Sequence, residues 1–248
     1  MHIFFSIDDT DSIDSRGTGE LASLIAKAIE EKSWGRCSGI TRHQLLIHPD
    51  VPYTSHNSSM CFEADIDELF LENVINYACN FLEKESAEGS DPGLCVAVQE
   101  LIIKPELLIE FGKKAKEEII LIPEAYDLAI KCGVHLSEHG GTGQGVIGAL
   151  AGIGLRLSGN DGRFKGKLKL LSESGFESVD YILSHTGFER VKDIDGKDLK
   201  GEEIVVLGEE LKSVFLEGKS TLLVFSKLDE NTGGFIWKTC NKNQLRVY

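Results

Sequence analysis

No pair of cysteines in this chain is separated by only two residues. The six, at positions 37, 61, 79, 95, 132 and 240, therefore offer neither a zinc ribbon nor a redox dithiol, and they read as reduced, mostly buried thiols. No apolar run approaches the roughly 18 residues that a membrane helix needs. The N-terminus opens on Ile3-Phe4-Phe5 without the basic segment and long apolar stretch of a secretory signal, so a cytoplasmic protein with no membrane contact is expected. Positive charge is scarce as well: 26 Lys and Arg face 40 Asp and Glu, a net charge of -14, whose field repels a phosphate backbone. The two basic clusters, Lys113-Lys114-Ala115-Lys116 and Arg163-Phe164-Lys165-Gly166-Lys167, lack interleaved aromatic platforms for single strands and read as solvated faces.

What is present suffices for an ordinary globular fold. A chain of 248 residues buries about 70 to 75 per cent of its unfolded surface, so neither disulfide nor structural metal is needed for stability. Residues 2–7 form a β-rich run that ends at a cluster of Asp, Thr and Ser, and Leu21, Leu24, Ile25, Ala28 and Ile29 then recur at helical spacing. Strands are predicted over 37–48, 60–66 and 94–98, and helices from Asp67 to Leu82, over 106–118 and over 123–132, the last stopping at Gly133. Beyond about residue 165 short β-type runs punctuated by glycine take over. The expected architecture is α/β (α+β): a mixed-sheet domain over 1–165, then a small β-rich module over 166–248.

Two loops carry potential chemistry. Ile7-Asp8-Asp9-Thr10-Asp11-Ser12 places three carboxylates within four residues at a strand end, where like charges raise one another's pKa unless a cation neutralises them. Magnesium suits such hard oxygens and brings substrate phosphates with it; the alternative is that these residues only form Asx turns and caps. The second loop, His139-Gly140-Gly141-Thr142-Gly143-Gln144-Gly145, precedes an apolar helix whose N-terminus can receive a phosphate. It is neither a Walker A loop, lacking the Lys-Ser/Thr pair, nor a dinucleotide fingerprint, since His135 to His139 stand where a strand is required. Gly141, Gly143 and Gly145 are the candidate phosphate cradle, with Thr10, Ser12, Arg42 and His139 as auxiliary contacts. His43 and His56 are weaker donors of the same kind.

Four segments in order carry a resemblance: Ile7-Asp8-Asp9-Thr10-Asp11-Ser12, Pro49-Asp50-Val51-Pro52-Tyr53, Asp91-Pro92-Gly93, and Gly143-Gln144-Gly145-Val146-Ile147-Gly148-Ala149-Leu150-Ala151. Over roughly residues 1–158 the chain resembles the N-terminal kinase-like region of archaeal synthetases that make 2-agmatinylcytidine in the anticodon of an isoleucine tRNA. The resemblance implies an ATP-dependent domain whose first-loop aspartates, Asp8, Asp9 and Asp11, match metal and nucleotide ligands. It also implies a phosphorylated threonine, for which Thr18 is the positional match; the structural alternative, and the simpler one, is a threonine that caps the first helix.

Thr54-Ser55-His56 and Gly140-Gly141-Thr142-Gly143-Gln144 replace basic segments of that family, and phosphoryl transfer normally uses Arg or Lys clamps. The family's OB-fold and zinc ribbon have no counterpart here. The expected function is therefore magnesium-dependent binding of ATP or another nucleotide, with phosphoryl or nucleotidyl transfer to a small-molecule acceptor. A non-catalytic nucleotide sensor and a tRNA-modifying enzyme with a partner subunit are the alternatives. Direct nucleic-acid binding is not expected without a partner, and the oligomeric state is left open.

Overall fold

A computed structural model of the chain describes residues 1–51, 57–172, 174–228 and 233–248. They form two compact units, Met1–Ser158 and Gly159–Tyr248. The first contains β1 (His2–Asp8), α1 (Thr18–Glu31), β2 (Gly35–Cys37), β3 (Thr41–Gln44), β4 (Ser58–Ile66), α2 (Leu71–Glu85), β5 (Gly93–Val98), α3 (Pro105–Glu117), α4 (Ile122–Cys132), β6 (His135–Glu138) and α5 (Gly145–Leu157). Its strands lie in the order β6-β5-β1-β4-β3, with β2 also on β4. These pairings are antiparallel.

Side chains alternate across a strand, and β1 uses both faces. Ile3, Phe5 and Ile7 enter a core with Leu21, Ile25 and Ile29 of α1 and Val74, Ala78 and Leu82 of α2. Phe4 enters a second core with Leu108 and Phe111 of α3 and Val146, Leu150 and Ile153 of α5. The same alternation turns Ser6 and Asp8 toward α5. There Gly152 and Gly148, one helical turn apart, leave room for them: a Cβ at Gly152 would overlap Ser6 Oγ and one at Gly148 would overlap Asp8 Oδ2. The sequence of α5 is thus set by close approach to β1 and not by helix propensity, since glycine costs a helix interior about 1 kcal/mol relative to alanine.

The helix stop at Gly133 has its reason in a left-handed φ of 71°. One expectation needs correction. His135 to Glu138 is a strand, β6, pairing with β5 through Gly93↔Glu138 and Val96↔His135. As an edge strand of four polar or half-buried residues it shows no period-2 apolar signal, so backbone pairing carries it.

The second unit contains β7 (Arg163–Phe164), β8 (Phe176–Ser178), α6 (Val179–His185), β9 (Arg190–Asp193), β10 (Ile204–Val206), β11 (Ser213–Leu216), β12 (Lys219–Leu228) and β13 (Phe235–Thr239). The order is β7-β11-β12-β13-β10-β8, with β9 also beside β12. The pairs β10–β13 and β9–β12 are parallel, which makes the strand pairing of the protein mixed. Val179, Ile182, Val191, Val205, Leu222 and Val224 form its core. The six cysteines are free thiols, and no described helix is long and apolar enough to cross a membrane.

Candidate functional site

Asp8, Asp9, Asp11 and Thr18 line one pocket with Ser58 of β4 and with Gly145 and Gly148 of α5. The chain turns off β1 at Asp9, whose φ of 50° is left-handed, a conformation that Asp tolerates better than most side chains. Asp8 is buried; burial first, then the Asp9 carboxylate, push its carboxyl up to about 8. Burial, followed by Asp91 and Asp11, raises Asp9 to about 6. Asp50 and Glu118 add two more carboxylates, and among the described residues no Lys, Arg or His lines the pocket.

These carboxylates fit a divalent cation chemically, because bound positive charge would offset the burial and mutual repulsion that raise Asp8 and Asp9. Among the described residues no three His, Cys, Asp or Glu side chains already converge on one ion position. Asp8, Asp9 and Asp11, expected to ligate an ion together, share the pocket without forming a ready-made three-ligand set, and magnesium commonly takes only one or two protein carboxylates directly.

Thr18 occupies the first helical position of α1, behind Gly17 as N-cap. The capping role considered for it is therefore replaced by another: its hydroxyl donates to Asp11 Oδ1 at 3.0 Å and accepts from Thr10 Oγ1 at 3.1 Å. A hydroxyl bonded to a carboxylate is the arrangement of a nucleophile with its base. Thr10, expected to contact a ligand, is itself buried and serves to orient Thr18. Ser12 turns away into a local turn, its N–H donating to Ser15 Oγ at 2.8 Å.

The glycine loop departs further from expectation. Asp91, which follows the turn before β5, is its anion: Oδ1 accepts the N–H groups of Thr142 and Gly143, Oδ2 accepts the Thr142 hydroxyl at 2.9 Å, and the Asp91 carbonyl accepts the Gly145 N–H at 3.1 Å. Gly141 and Gly143 have left-handed φ values of 60° and 82°, and a Cβ there would strike Asp91 and Glu138. These glycines are explained by packing, and of the three proposed cradle residues only Gly145 lines the pocket. Sequence reasoning assigned Asp91 no role in the site, because its partners lie about fifty residues away.

Arg42 does not line the pocket; it stands behind Ser58, its Nε donating to Ser58 Oγ at 2.9 Å. His139 also lies elsewhere, its Nε2 paired with Ser137 Oγ at 2.9 Å and its Nδ1 3.8 Å from Glu83. Burial lowers its pKa, so a neutral imidazole replaces the expected phosphate donor. His43 is buried against Thr41, while His56, Thr54, Ser55 and the Pro52-Tyr53 segment lie outside the described residues.

No protein-family profile matches the chain. A curated relative, the isoleucine-tRNA 2-agmatinylcytidine synthetase TiaS of Archaeoglobus fulgidus, is 31% identical over 159 residues, covering 63% of this chain and 36% of that protein. The Pyrococcus horikoshii synthetase is 31% identical over 163 residues, covering 64% and 37%. The chain thus spans little more than a third of the length of these relatives. Among solved structures, apo TiaS and its complex with isoleucine tRNA and ATP each match with TM-score 0.53 and 26% identity over 62% of this chain. The tRNA complex corrects the expectation that direct nucleic-acid binding is improbable without a partner. That expectation took net charge as a property of every face, whereas binding depends on the local field. In sequence and in fold, the N-terminal 63% of this chain resembles the N-terminal part of the isoleucine-tRNA 2-agmatinylcytidine synthetases.

Proposed function

We propose that this chain is an ATP-dependent tRNA-modifying enzyme whose first unit binds magnesium and ATP and transfers a phosphoryl or nucleotidyl group. The observation that carries this reading is the convergence of Asp8, Asp9, Asp11 and Thr18 in one pocket at the start of α5. It lies in the region similar to a protein solved with ATP and tRNA. Magnesium, when bound, screens the polyphosphate and polarises the phosphoryl group under attack. Asp8 and Asp9 are the residues to hold it, with Asp11 placed to accept the Thr18 proton. Attack by Thr18 Oγ on the γ-phosphorus would form the Thr18–phosphate bond and release ADP. The two further carboxylates, Asp50 and Glu118, favour a small cationic amine as acceptor, in keeping with the agmatine-derived product named for the relatives.

One observation favours a second reading, a nucleotide sensor without turnover: the pocket has no described cation to clamp a transferring phosphoryl group. Incubation with magnesium and γ-labelled ATP separates the two. Label on Thr18, abolished in Thr18→Val and restored in Thr18→Ser, is the expected result. ATP-dependent stabilisation with no consumption of ATP and no label on protein or on added tRNA, from either α- or γ-labelled ATP, would establish the sensor instead.

A further inference from the structure

Residues 159–248 contain 14 Lys and Arg against 15 Asp and Glu, so almost all of the excess negative charge of the chain resides in the first unit. Within the second unit the cations fall into two groups. Arg190 and Lys192 are matched by Glu217, and Arg190 also by Asp198 at 3.1 Å. The other group is underneutralised. Lys212, Lys238 and Lys242 line a pocket of about 380 Å³ together with Phe225 and Asn241, a volume within the range of ligand sites. Two acidic residues, Glu209 and Glu210, also line it, and Glu210 is already held by Lys167 at 2.7 Å. Among the described residues none of these three lysines has a carboxylate partner within ion-pair distance.

The group extends past the pocket. Burial, then Lys242, Arg163 and Lys167, lower the pKa of Lys212, and Arg246 acts in the same sense on Arg163. The pairing of Arg163 with Val214 brings β7 beside the entry to β11, and Lys238 and Lys242 line the same pocket as Lys212, so the cations gather on one side of this unit despite Asp161 and Glu210 nearby. Such a gathering is costly unless anions relieve it. Its spread beyond one pocket calls for several phosphates in succession, not one small anion. Half-buried Phe225, paired across β12–β13 with Lys238, packs against the small core of Val214, Leu223, Cys240 and Leu245 and lines the pocket beside the lysines, an aromatic element that a lipid headgroup does not require and an unpaired base does.

We propose that Arg163, Lys212, Lys238, Lys242 and Arg246 form a surface for the phosphate backbone of RNA, with Phe225 as the platform for one unpaired base. This rests on the reading of the chain as acting on tRNA. The surface lies beyond the N-terminal 63% over which the sequence is similar to the synthetases.

The test is fluorescence anisotropy of labelled, unmodified tRNA with the full chain over a salt series. Lys212→Glu/Lys242→Glu is compared with the parent and with Lys27→Glu/Lys131→Glu, an equal charge change in the first unit. The surface variant should bind at least tenfold more weakly, with a log–log salt slope smaller by about 1.4, at about 0.7 per lost phosphate contact of a single strand. The control variant should bind like the parent. Lys212→Gln/Lys242→Gln, which introduces no new charge, should show a smaller loss in the same direction with unchanged melting.

Equal binding by parent and surface variant, or an equal loss in the control, overturns the surface while leaving tRNA as the substrate. A parent that binds no tRNA, or binds phosphatidylserine vesicles in its place, overturns the surface as well. Magnesium- and ATP-dependent stabilisation of the same samples reports separately on the first unit.

Discussion

At Asp8 two demands meet: the alternation of β1 turns its carboxyl into the α5 face, and Gly148 leaves it just enough space. An unfolded aspartate titrates near 3.8 and this one near 8, so between those values the folded protein holds a proton that the unfolded chain has released. Stability from this group is fully present below about pH 4, falls as pH rises to about 8, and is flat above. Asp8→Asn carries no such penalty. Its stability relative to the parent should rise from pH 5 to pH 8 by on the order of 1 kcal/mol per pH unit, measured as melting temperature against pH without divalent ions. A variant less stable than the parent at pH 8 would show that the ionised carboxylate is a structural acceptor. The acidity of this loop was legible in the sequence. The left-handed turn at Asp9 and the bond from Thr18 to Asp11 were not, because both depend on how the loop folds back over α1.

Among the elements, α5 is the one whose composition follows most directly from what it touches. Its glycines at 148 and 152 sit where Asp8 and Ser6 come closest, and an added methyl would force backbone or side chains apart. Gly148→Ala should therefore destabilise the protein by about 1–3 kcal/mol despite the better helix propensity of alanine. Gly187→Ala, where nothing lies within 4 Å, should be near neutral. Chemical denaturation of both variants checks this, and equal midpoints would mean that α5 does not pack on β1 as described. Helices were readable because a stripe of apolar residues every three or four positions survives in any context. Strand β6 was not, since His135, Ser137 and Glu138 carry no alternation and are held by pairing to β5. For the same reason the glycine loop resembled a phosphate cradle: its backbone is built for an anion, and that anion is the carboxylate of Asp91.

On the scale of the molecule, a single net charge concealed two different units. The first carries the acidic pocket; the second gathers cations from positions as far apart as 163 and 246, so that no window of sequence displays them. The cluster Arg163 to Lys167, which resembles a solvated face in one dimension, contributes Arg163 to the proposed basic surface through the pairing of β7 with β11. The change to short β-type runs past residue 165 was legible from glycine spacing, whereas the parallel pairing of β9 with β12 joins segments about thirty residues apart and leaves no local mark.

The central claim is that the carboxylates after β1 bind ATP through magnesium. The most direct measurement is the melting temperature of the full chain with ATP, with ATP and magnesium, and with ATP and EDTA. With both ligands at about a hundred times the dissociation constant, the parent should gain about 2.7 kcal/mol, and Asp9→Asn should gain little. Equal stabilisation in EDTA, or an Asp9→Asn variant that responds like the parent, would contradict it.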